Sequence, residues 1–364
     1  MSAHESAGAS RLNVSVAEWM RSSGIQERNG GVARYYLSDR QENKPLSTEI
    51  TGYFASGLVA LYEQSGDTKH LEAALEAAVY LTKAWDSQSA SMPFEAEGDD
   101  AKYSYFFDTG IIVRGLLAVW RKCRREDILS TAVKCGDSLA NDFDSGKDFS
   151  PIIDLPDKKA LDHDNARWSR SPGCYQLKSA LAWLELWEIT HERRHLDLYR
   201  RLLTASLESH SSFLPGCNLE TGVMDRLHAY SYFLEGLLPT LDEPACRDTM
   251  QTGIERLAMC ANNIGAKFLR SDVVAQLLRL RLFADRAGIV SLDPKTCRRE
   301  AGTIREFQSS DADPRLKGGF WFGKKSADIL PFMNPVSTVF CYQALHMWDA
   351  YENGDRRLQW QSLI

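Results

Sequence analysis

Residues 48–85 read TEITGYFASGLVALYEQSGDTKHLEAALEAAVYLTKAW, and this stretch decides the fold class of the chain. Its first half has a polar first turn followed by apolar and aromatic residues. Its second half is amphipathic, with Leu71 and Leu75 on one face and Glu72 and Glu76 on the opposite face. A short Ser-Gly-Asp turn separates the halves, and such turns join antiparallel helices. The stretch therefore predicts a helical hairpin.

The same order recurs along the whole chain. Inner helices with polar first turns are predicted to begin near Thr48, Asp108, Gly173, Asp225, Ser271 and Pro335. More charged outer helices are predicted at Leu12–Ser22, Lys69–Trp85, Glu126–Asp142, Arg193–Phe213, Glu243–Asn262 and Asp293–Gln308. An open solenoid would also repeat, but these hairpins vary in length, and six pairs can close into a ring. We predict an all-α protein, an (α/α)6 toroid of six helical hairpins in one domain over 11–364, after a disordered segment 1–10.

Composition excludes several classes of protein. The net charge is −6 and the basic residues form no long run, so nucleic acid is not an expected partner. No window approaches the roughly 18 consecutive apolar residues of a transmembrane helix, and the polar start is unlike a secretory signal. The eight cysteines are scattered, without zinc or redox spacing. These features predict a cytoplasmic protein with reduced thiols, no metal and no cofactor, in which an oligomer is possible.

Long connections rich in Gly, Pro, Trp and Tyr follow most outer helices, for example in 143–172 and 310–334. In a ring of hairpins they all fall at the end that holds the N-termini of the inner helices. Loops held by a rigid scaffold commonly carry function. The unpaired N–H groups and the dipoles of those N-termini favour bound anions. The sequence therefore predicts a functional cavity at this end.

Two pairs of residues are candidates for acid–base catalysis in this cavity. Glu49 and Asp108 lie at the start of adjacent inner helices, and two carboxyl groups can divide the roles of acid and base. Asp225 and His228 form the alternative pair, three residues apart on one helical face. Alternatively, these residues have only structural roles: the acids stabilise the N-termini of their helices through the helix dipole, and His228 is a core histidine.

Aromatic plates and arginines complete the predicted site. Flat rings can stack on sugars, and arginines can bind carboxylates, so the prediction is a small saccharide or oligosaccharide with an anionic, uronate-like group. The predicted binding residues are Tyr53, Arg114, Arg167, Trp168, Arg170, Tyr175, Arg226, Tyr230, Arg270, Asp272, Trp321 and Asn334.

Two helix–turn phrases, LYEQSGDTKHLEAA (61–74) and LWEITHERRHLDLY (186–199), resemble the (α/α)6-toroid enzymes of carbohydrate metabolism. These enzymes include N-acylglucosamine 2-epimerases, unsaturated glucuronyl hydrolases and glucuronyl epimerases. The resemblance implies a hydrolase, a lyase or an epimerase, and no catalytic residue is carried over from it. Two alternatives stay open: a non-catalytic scaffold or binding toroid, and a prenyl- or terpenoid-binding toroid, since QALHMW (343–348) is similar to the Gln–Trp repeats of that class.

Overall fold

The computed structural model describes residues 15–95, 98, 102–164, 167–214 and 222–364. The segment 1–10, expected to be disordered, lies outside the described residues. The described part contains twelve α-helices: α1 (15–22), α2 (Thr48–Ser65), α3 (Thr68–Ala84), α4 (Phe106–Cys123), α5 (Glu126–Asn141), α6 (Leu177–Thr190), α7 (Arg193–Phe213), α8 (Gly222–Gly236), α9 (Pro244–Ile264), α10 (Ser271–Arg286), α11 (Pro294–Glu306) and α12 (Pro335–Glu352). Most boundaries agree with the predicted helices to within a few residues.

Local capping explains where the hairpin of α2 and α3 turns. Ser47 is the N-cap of α2, and its side chain accepts the backbone N–H of Ile50. At the other end of α2, Gly66 adopts a left-handed φ of 70° and donates its N–H to the Tyr62 carbonyl. Asp67 follows at once and caps α3 with its carboxylate. Two residues thus end one helix and start the next, which forces the two helices to run antiparallel.

The even-numbered helices form a closed inner ring. They contact one another in the order α2, α4, α6, α8, α10 and α12, and α12 returns to α2. Outside them, α3, α5, α7, α9 and α11 each contact two successive inner helices. The inner helices approach closely: a Cβ on Gly115 of α4 would lie 2.5 Å from the Gly52 carbonyl oxygen of α2. The predicted ring of six helical hairpins is confirmed.

Within the described residues, four small antiparallel sheets tie together the loops at one end of the ring, in strand orders β1-β4, β10-β2-β3, β5-β6 and β7-β8-β9. Their strands have two or three residues: β1 (Val32–Ala33), β2 (Tyr36–Leu37), β3 (Glu42–Asn43), β4 (Leu46–Ser47), β5 (Tyr103–Tyr105), β6 (Ile152–Asp154), β7 (Phe268–Arg270), β8 (Gly323–Lys325), β9 (Asp328–Ile329) and β10 (Phe332–Met333). Strands β4, β5 and β7 run directly into α2, α4 and α10. These sheets therefore fix the loops that surround the N-termini of the inner helices.

Charged residues fill the middle of the ring. The Lys178 ammonium lies 2.9 Å from one oxygen of the Glu235 carboxylate, and the Arg279 guanidinium lies 2.6 Å from the other. All three side chains are fully buried, and the Ile364 carbonyl oxygen accepts hydrogen bonds from both cations. Arg279 follows Asp272 by seven residues on α10, so this charged cluster lies about 10 Å further along the helix than Asp272. Among the described residues, no helix combines the length and hydrophobicity needed to span a lipid bilayer.

Candidate functional site

A cavity of about 310 Å³ opens at the end of the ring where the inner helices begin. The first turns of α2, α4, α10 and α12 contribute to its wall, together with α8 and two loops. The lining residues are Glu49, Ile50, Phe94, Tyr105, Phe107, Asp108, Trp168, Ser169, His228, Tyr232, Arg270, Asp272, Asn334 and Val336. Four of the six inner helices thus bring their first turns to one cavity, as predicted, whereas no described residue in the first turns of α6 and α8 lines it.

Two carboxyl groups on adjacent helices form what we call the acid half of the cavity. Glu49 is the second residue of α2 and Asp108 is the third residue of α4. Glu49 lines the cavity, and its burial raises its pKa to about 7. Burial and then the charge of Glu49 raise the pKa of Asp108 well above its usual range. Asp108 Oδ2 is buried and has no hydrogen-bond partner among the described residues. Near neutral pH, this half therefore holds at least one proton.

Arg34 is the cation whose charge acts on both carboxyl groups of the acid half. Its positive charge lowers the pKa values of Glu49 and Asp108, but by less than burial raises them. The Arg34 guanidinium forms an ion pair with Glu95 and lies 4.7 Å from the centre of the Phe94 ring. Because Glu95 shares its charge, Arg34 offsets only part of the cost of ionising the two carboxyl groups.

Across the ring lies the imidazole half of the cavity, formed by His228 on α8 with Arg270 and Asp272 at the start of α10. Arg270 binds both oxygens of Asp272, with Nε–Oδ1 at 3.0 Å and Nη2–Oδ2 at 2.7 Å. It also reaches Asp225 at 2.8 Å. Burial alone would raise the pKa of Asp272, but Arg270 and then His228 outweigh it and hold that pKa below its ordinary value. Asp272 is therefore ionised.

His228 stays uncharged in this setting. Burial, followed by the positive charge of Arg270, lowers its pKa to about 4. Its Nδ1 lies 2.7 Å from the Gln276 side-chain oxygen, and its ring packs 4.5 Å from the ring centre of Tyr232. A neutral imidazole can accept a proton, whereas the acid half can donate one. The two halves together therefore supply a general acid and a general base.

Aromatic rings form much of the remaining wall. Phe94 and Tyr105 pack against each other with ring centres 5.1 Å apart, and Trp168 meets Phe107 edge to face at 6.4 Å. Tyr232 closes the wall beside His228. Such rings offer flat apolar faces next to the polar groups, and this combination suits ligands that have both C–H faces and hydroxyl groups.

Seven of the residues predicted from the sequence meet in this cavity: Glu49, Asp108, Trp168, His228, Arg270, Asp272 and Asn334. Asn334 has a second task, since its side-chain oxygen caps α12 by accepting the N–H groups of Val336 and Ser337. Asp225 lies outside the lining, with about half of its side chain exposed, and binds Arg270 from there.

Four of the five predicted arginines do not line the cavity. Arg114 is buried in the ring wall, where its Nε lies 2.6 Å from Glu185, because its position two turns into α4 is too deep for the mouth. Arg226 turns outward and donates to the Phe213 carbonyl. Arg167 is exposed in the loop before α6, and Arg170 ends a short 3-10 turn there.

Four predicted aromatic residues also lie elsewhere. Tyr53 is buried between inner helices and packs against the Phe340 ring. Tyr175 lies behind Trp168 and donates its hydroxyl to a loop carbonyl. Tyr230 faces α7, where its hydroxyl lies 3.1 Å from a histidine nitrogen. Trp321 packs against the hydrophobic core. None of these four residues is among those that line the cavity.

Sequence reasoning missed seven lining residues: Ile50, Phe94, Tyr105, Phe107, Ser169, Tyr232 and Val336. Tyr232 could have been found, since it lies four residues after His228 and therefore on the same face of the helix. Ile50, Phe107 and Val336 adjoin predicted polar residues or first turns. Phe94 lies in a loop and Tyr105 ends the three-residue strand β5, and neither segment has a periodic signal. Among the described residues, no group of three His, Cys, Asp or Glu is arranged to hold a metal ion.

No protein-family model matches the chain, and no curated protein matches it in sequence. Solved structures do. A sugar epimerase from a ruminal bacterium superposes with a TM-score of 0.71 at 12% identity, over 95% of this chain and 99% of that one. Cellobiose 2-epimerase from Spirochaeta thermophila gives 0.69 at 13% identity over 96% and 97%. Unsaturated glucuronyl hydrolase from Bacillus sp. GL1 gives 0.63 at 14% identity over 95% and 97%. At this identity the likeness shows the fold, the (α/α)6 toroid.

Proposed function

We propose that this protein is an enzyme of carbohydrate metabolism that transfers protons on a small saccharide bound in the cavity. One observation carries the proposal: two carboxyl groups on α2 and α4, both with raised pKa values, line the same cavity as a histidine on α8 whose pKa is lowered. Helices α2 and α8 lie on opposite sides of the ring. The similar structures bear the names of sugar epimerases and a glucuronyl hydrolase, which supports the choice of sugars as the substrate class.

The roles follow from the two environments. Asp108, with the more strongly raised pKa, is the proton donor. Glu49, with a pKa of about 7, exchanges its proton near neutral pH. His228 is the base that accepts a proton from a carbon next to the sugar carbonyl, while an acid protonates the carbonyl oxygen. This combination favours isomerisation or epimerisation.

Hydrolysis is the second candidate reaction. It would need only the two carboxyl groups of the acid half. Glu49 ionised beside a protonated Asp108 would form the base and acid of a glycoside hydrolase. Asp272, the ionised carboxylate of the imidazole half, is a poor substitute, because both of its oxygens already bind Arg270. Both candidates use Asp108 as the acid, so they differ in whether His228 takes part in the reaction.

The cavity fits a small and uncharged sugar. Its 310 Å³ lies at the lower end of the roughly 300–1,000 Å³ of ligand pockets, which suits one or two sugar rings. The expected anionic group depended on the dipoles of the inner helix N-termini together with five arginines. Of these only Arg270 lines the cavity, and Asp272 and Asp225 match its charge. We therefore propose a neutral monosaccharide or disaccharide in place of a uronate.

The test is an assay of neutral aldoses, ketoses and disaccharides in deuterated water, followed by NMR. Epimerisation or isomerisation through proton transfer places solvent deuterium at a sugar carbon, whereas hydrolysis releases a new reducing end without such exchange. An unsaturated uronyl disaccharide in the same panel tests the anionic alternative. We expect deuterium incorporation with a neutral sugar.

Two matched variants make the assay specific. Glu49→Gln removes the cavity carboxyl that exchanges its proton near neutral pH and should slow the exchange. Glu126→Gln removes an exposed first-turn acid of the outer helix α5 and should leave the rate unchanged. If no sugar in the panel is turned over, or if Glu49→Gln keeps the full rate, the proposed function is wrong. Turnover of the uronyl substrate alone would contradict the proposed neutral substrate.

A further inference from the structure

Two possible acceptors approach Nδ1 of His228 from α10. The side-chain oxygen of Gln276 lies 2.7 Å away, within hydrogen-bond distance. The nearer oxygen of Asp272 lies 3.9 Å away, which is too far for a hydrogen bond. The acceptor that His228 uses is therefore a neutral amide, although an ionised carboxylate lies next to it.

This contact fixes where the proton lies on the ring. An amide oxygen can only accept, so Nδ1 must carry the hydrogen. The negative charge of Asp272 on the same side also favours a proton on Nδ1. In the part of the chain that the structure describes, Nε2 makes no hydrogen bond, and His228 lines the cavity. The nitrogen without a proton is thus the one left for a bound molecule.

We infer that Gln276 is a positioning residue for His228: by accepting the Nδ1 proton, it selects the neutral tautomer whose Nε2 can take a proton from the substrate. The inference rests on the proposed role of His228 as the base. Gln276 is fully buried, and its own amide nitrogen has no partner among the described residues. An unpaired buried amide is costly, so packing alone does not account for glutamine here.

The charged groups around the ring explain why the acceptor is neutral. Arg270 and Asp272 approach from the start of α10, Glu235 and Tyr232 lie on α8 itself, and α12 contributes the Phe340 ring. Arg270 holds both oxygens of Asp272 and so keeps that carboxylate from pairing with His228. With Gln276 as acceptor, the imidazole is oriented without being charged, as a base must be.

The first test is the tautomer itself, measured by NMR on protein labelled with ¹⁵N-histidine, with the His228 signals identified from their loss in His228→Gln. We expect wild-type His228 to carry its proton on Nδ1 at neutral pH. In Gln276→Met, which keeps the size but removes the acceptor, the Nδ1–H tautomer should lose population to Nε2–H, with Asp272 alone left to favour Nδ1–H. His210, whose Nδ1 faces the Tyr230 hydroxyl, should keep its signals and serves as the internal reference. A wild-type Nε2–H tautomer, or an unchanged tautomer in Gln276→Met, would overturn the inference.

Gln276→Glu provides a second test that does not depend on the methionine variant being folded. It keeps an acceptor at Nδ1 but makes it anionic, so the Nδ1 proton should remain and the pKa of His228 should rise by about one unit or more. Absence of that shift would show that residue 276 does not bind the ring and would also contradict the inference. In a sugar assay, Gln276→Met should lower kcat with little change in KM. The NMR readouts need no substrate, so they stand or fall separately from the proposed function.

Discussion

Asp108 and Asp272 lie on opposite sides of one cavity, yet they hold opposite protonation states. Both occupy the first turn of an inner helix, and both are buried, with 7% and 2% of their surface exposed. Burial raises the pKa of Asp108 far above its usual range, whereas Asp272 has a lowered pKa. The difference is Arg270, which binds both oxygens of Asp272, while Asp108 has a second acid, Glu49, as its nearest charged influence.

The contrast shows that helix position does not decide the charge of a first-turn acid. The dipole of a helix N-terminus contributes only about 0.3–1 kcal/mol to a nearby anion. Loss of water around a buried carboxyl group outweighs that contribution, and only a bound cation reverses it. Pairs of groups whose pKa values are pushed apart are typical of acid–base catalysts. The acid half and the imidazole half of this cavity are such a pair.

The largest effect should come from removing the acid. Asp108→Asn keeps the shape of the side chain but cannot donate its proton, so we expect kcat for the sugar substrate to fall about 10²- to 10⁴-fold. Asp127→Asn, in the first turn of the outer helix α5, should leave kcat unchanged. Steady-state kinetics of both variants checks this. Equal activity in Asp108→Asn and wild type would remove Asp108 from the mechanism.

Removing Arg270 should leave Asp272 in the same situation as Asp108, a buried carboxyl group without a bound cation. Arg270→Met leaves Asp272 buried without its partner, and we expect it to lower the free energy of unfolding by about 3–5 kcal/mol at pH 8. The loss should shrink as the pH falls, because Asp272 can then take up a proton. Arg298→Met breaks an exposed ion pair with Glu352 and should cost less than about 1 kcal/mol. Urea unfolding at pH 5 and pH 8 measures both, and a pH-independent loss would argue against this account.

Most of the fold could be predicted from the sequence because its signals are local. The amphipathic pattern and the turn at Gly66 predict α3 at Lys69–Trp85, and the structure places it at Thr68–Ala84. The ring follows from repetition of that hairpin. The small sheets could not be predicted, since strands of two or three residues are too short to show a period and form only when distant loops meet.

The site was predictable only in part, because side-chain direction depends on packing. The acids at the start of α2 and α4 could be placed, since the sequence predicts that the first turns of the inner helices meet at one end of the ring. Tyr230 could have been excluded, because two residues along a helix turn a side chain away from His228. By contrast, nothing local shows that Arg114 binds Glu185, 71 residues later in the chain. For Arg114, a partner far away in the sequence therefore decides that the side chain stays in the ring wall.

The raised pKa of Glu49 should also appear in stability. An unfolded Glu ionises near 4.5, whereas folded Glu49 ionises near 7, so between these values the unfolded chain holds fewer protons and stability falls as pH rises. The difference of 2.5 units corresponds to about 3 kcal/mol. Glu49→Gln should remove this loss and be the more stable protein at pH 8. Thermal unfolding of both proteins from pH 4.5 to 8 measures it, and parallel curves would show that Glu49 is not buried in its neutral form.

The smallest effect should come from truncating an aromatic residue in the cavity wall. Trp168 lines the cavity, whereas Tyr175 lies behind it with ring centres 4.9 Å apart. An aromatic contact is worth about 0.5–1.5 kcal/mol, so Trp168→Ala should raise KM about 2- to 10-fold. Because the wall binds substrate and transition state alike, kcat should stay unchanged. Tyr175→Phe, which loses only the hydroxyl bound to the Ser171 carbonyl, should change neither constant. A fall in kcat for Trp168→Ala would instead mean that the wall orients the sugar between acid and base.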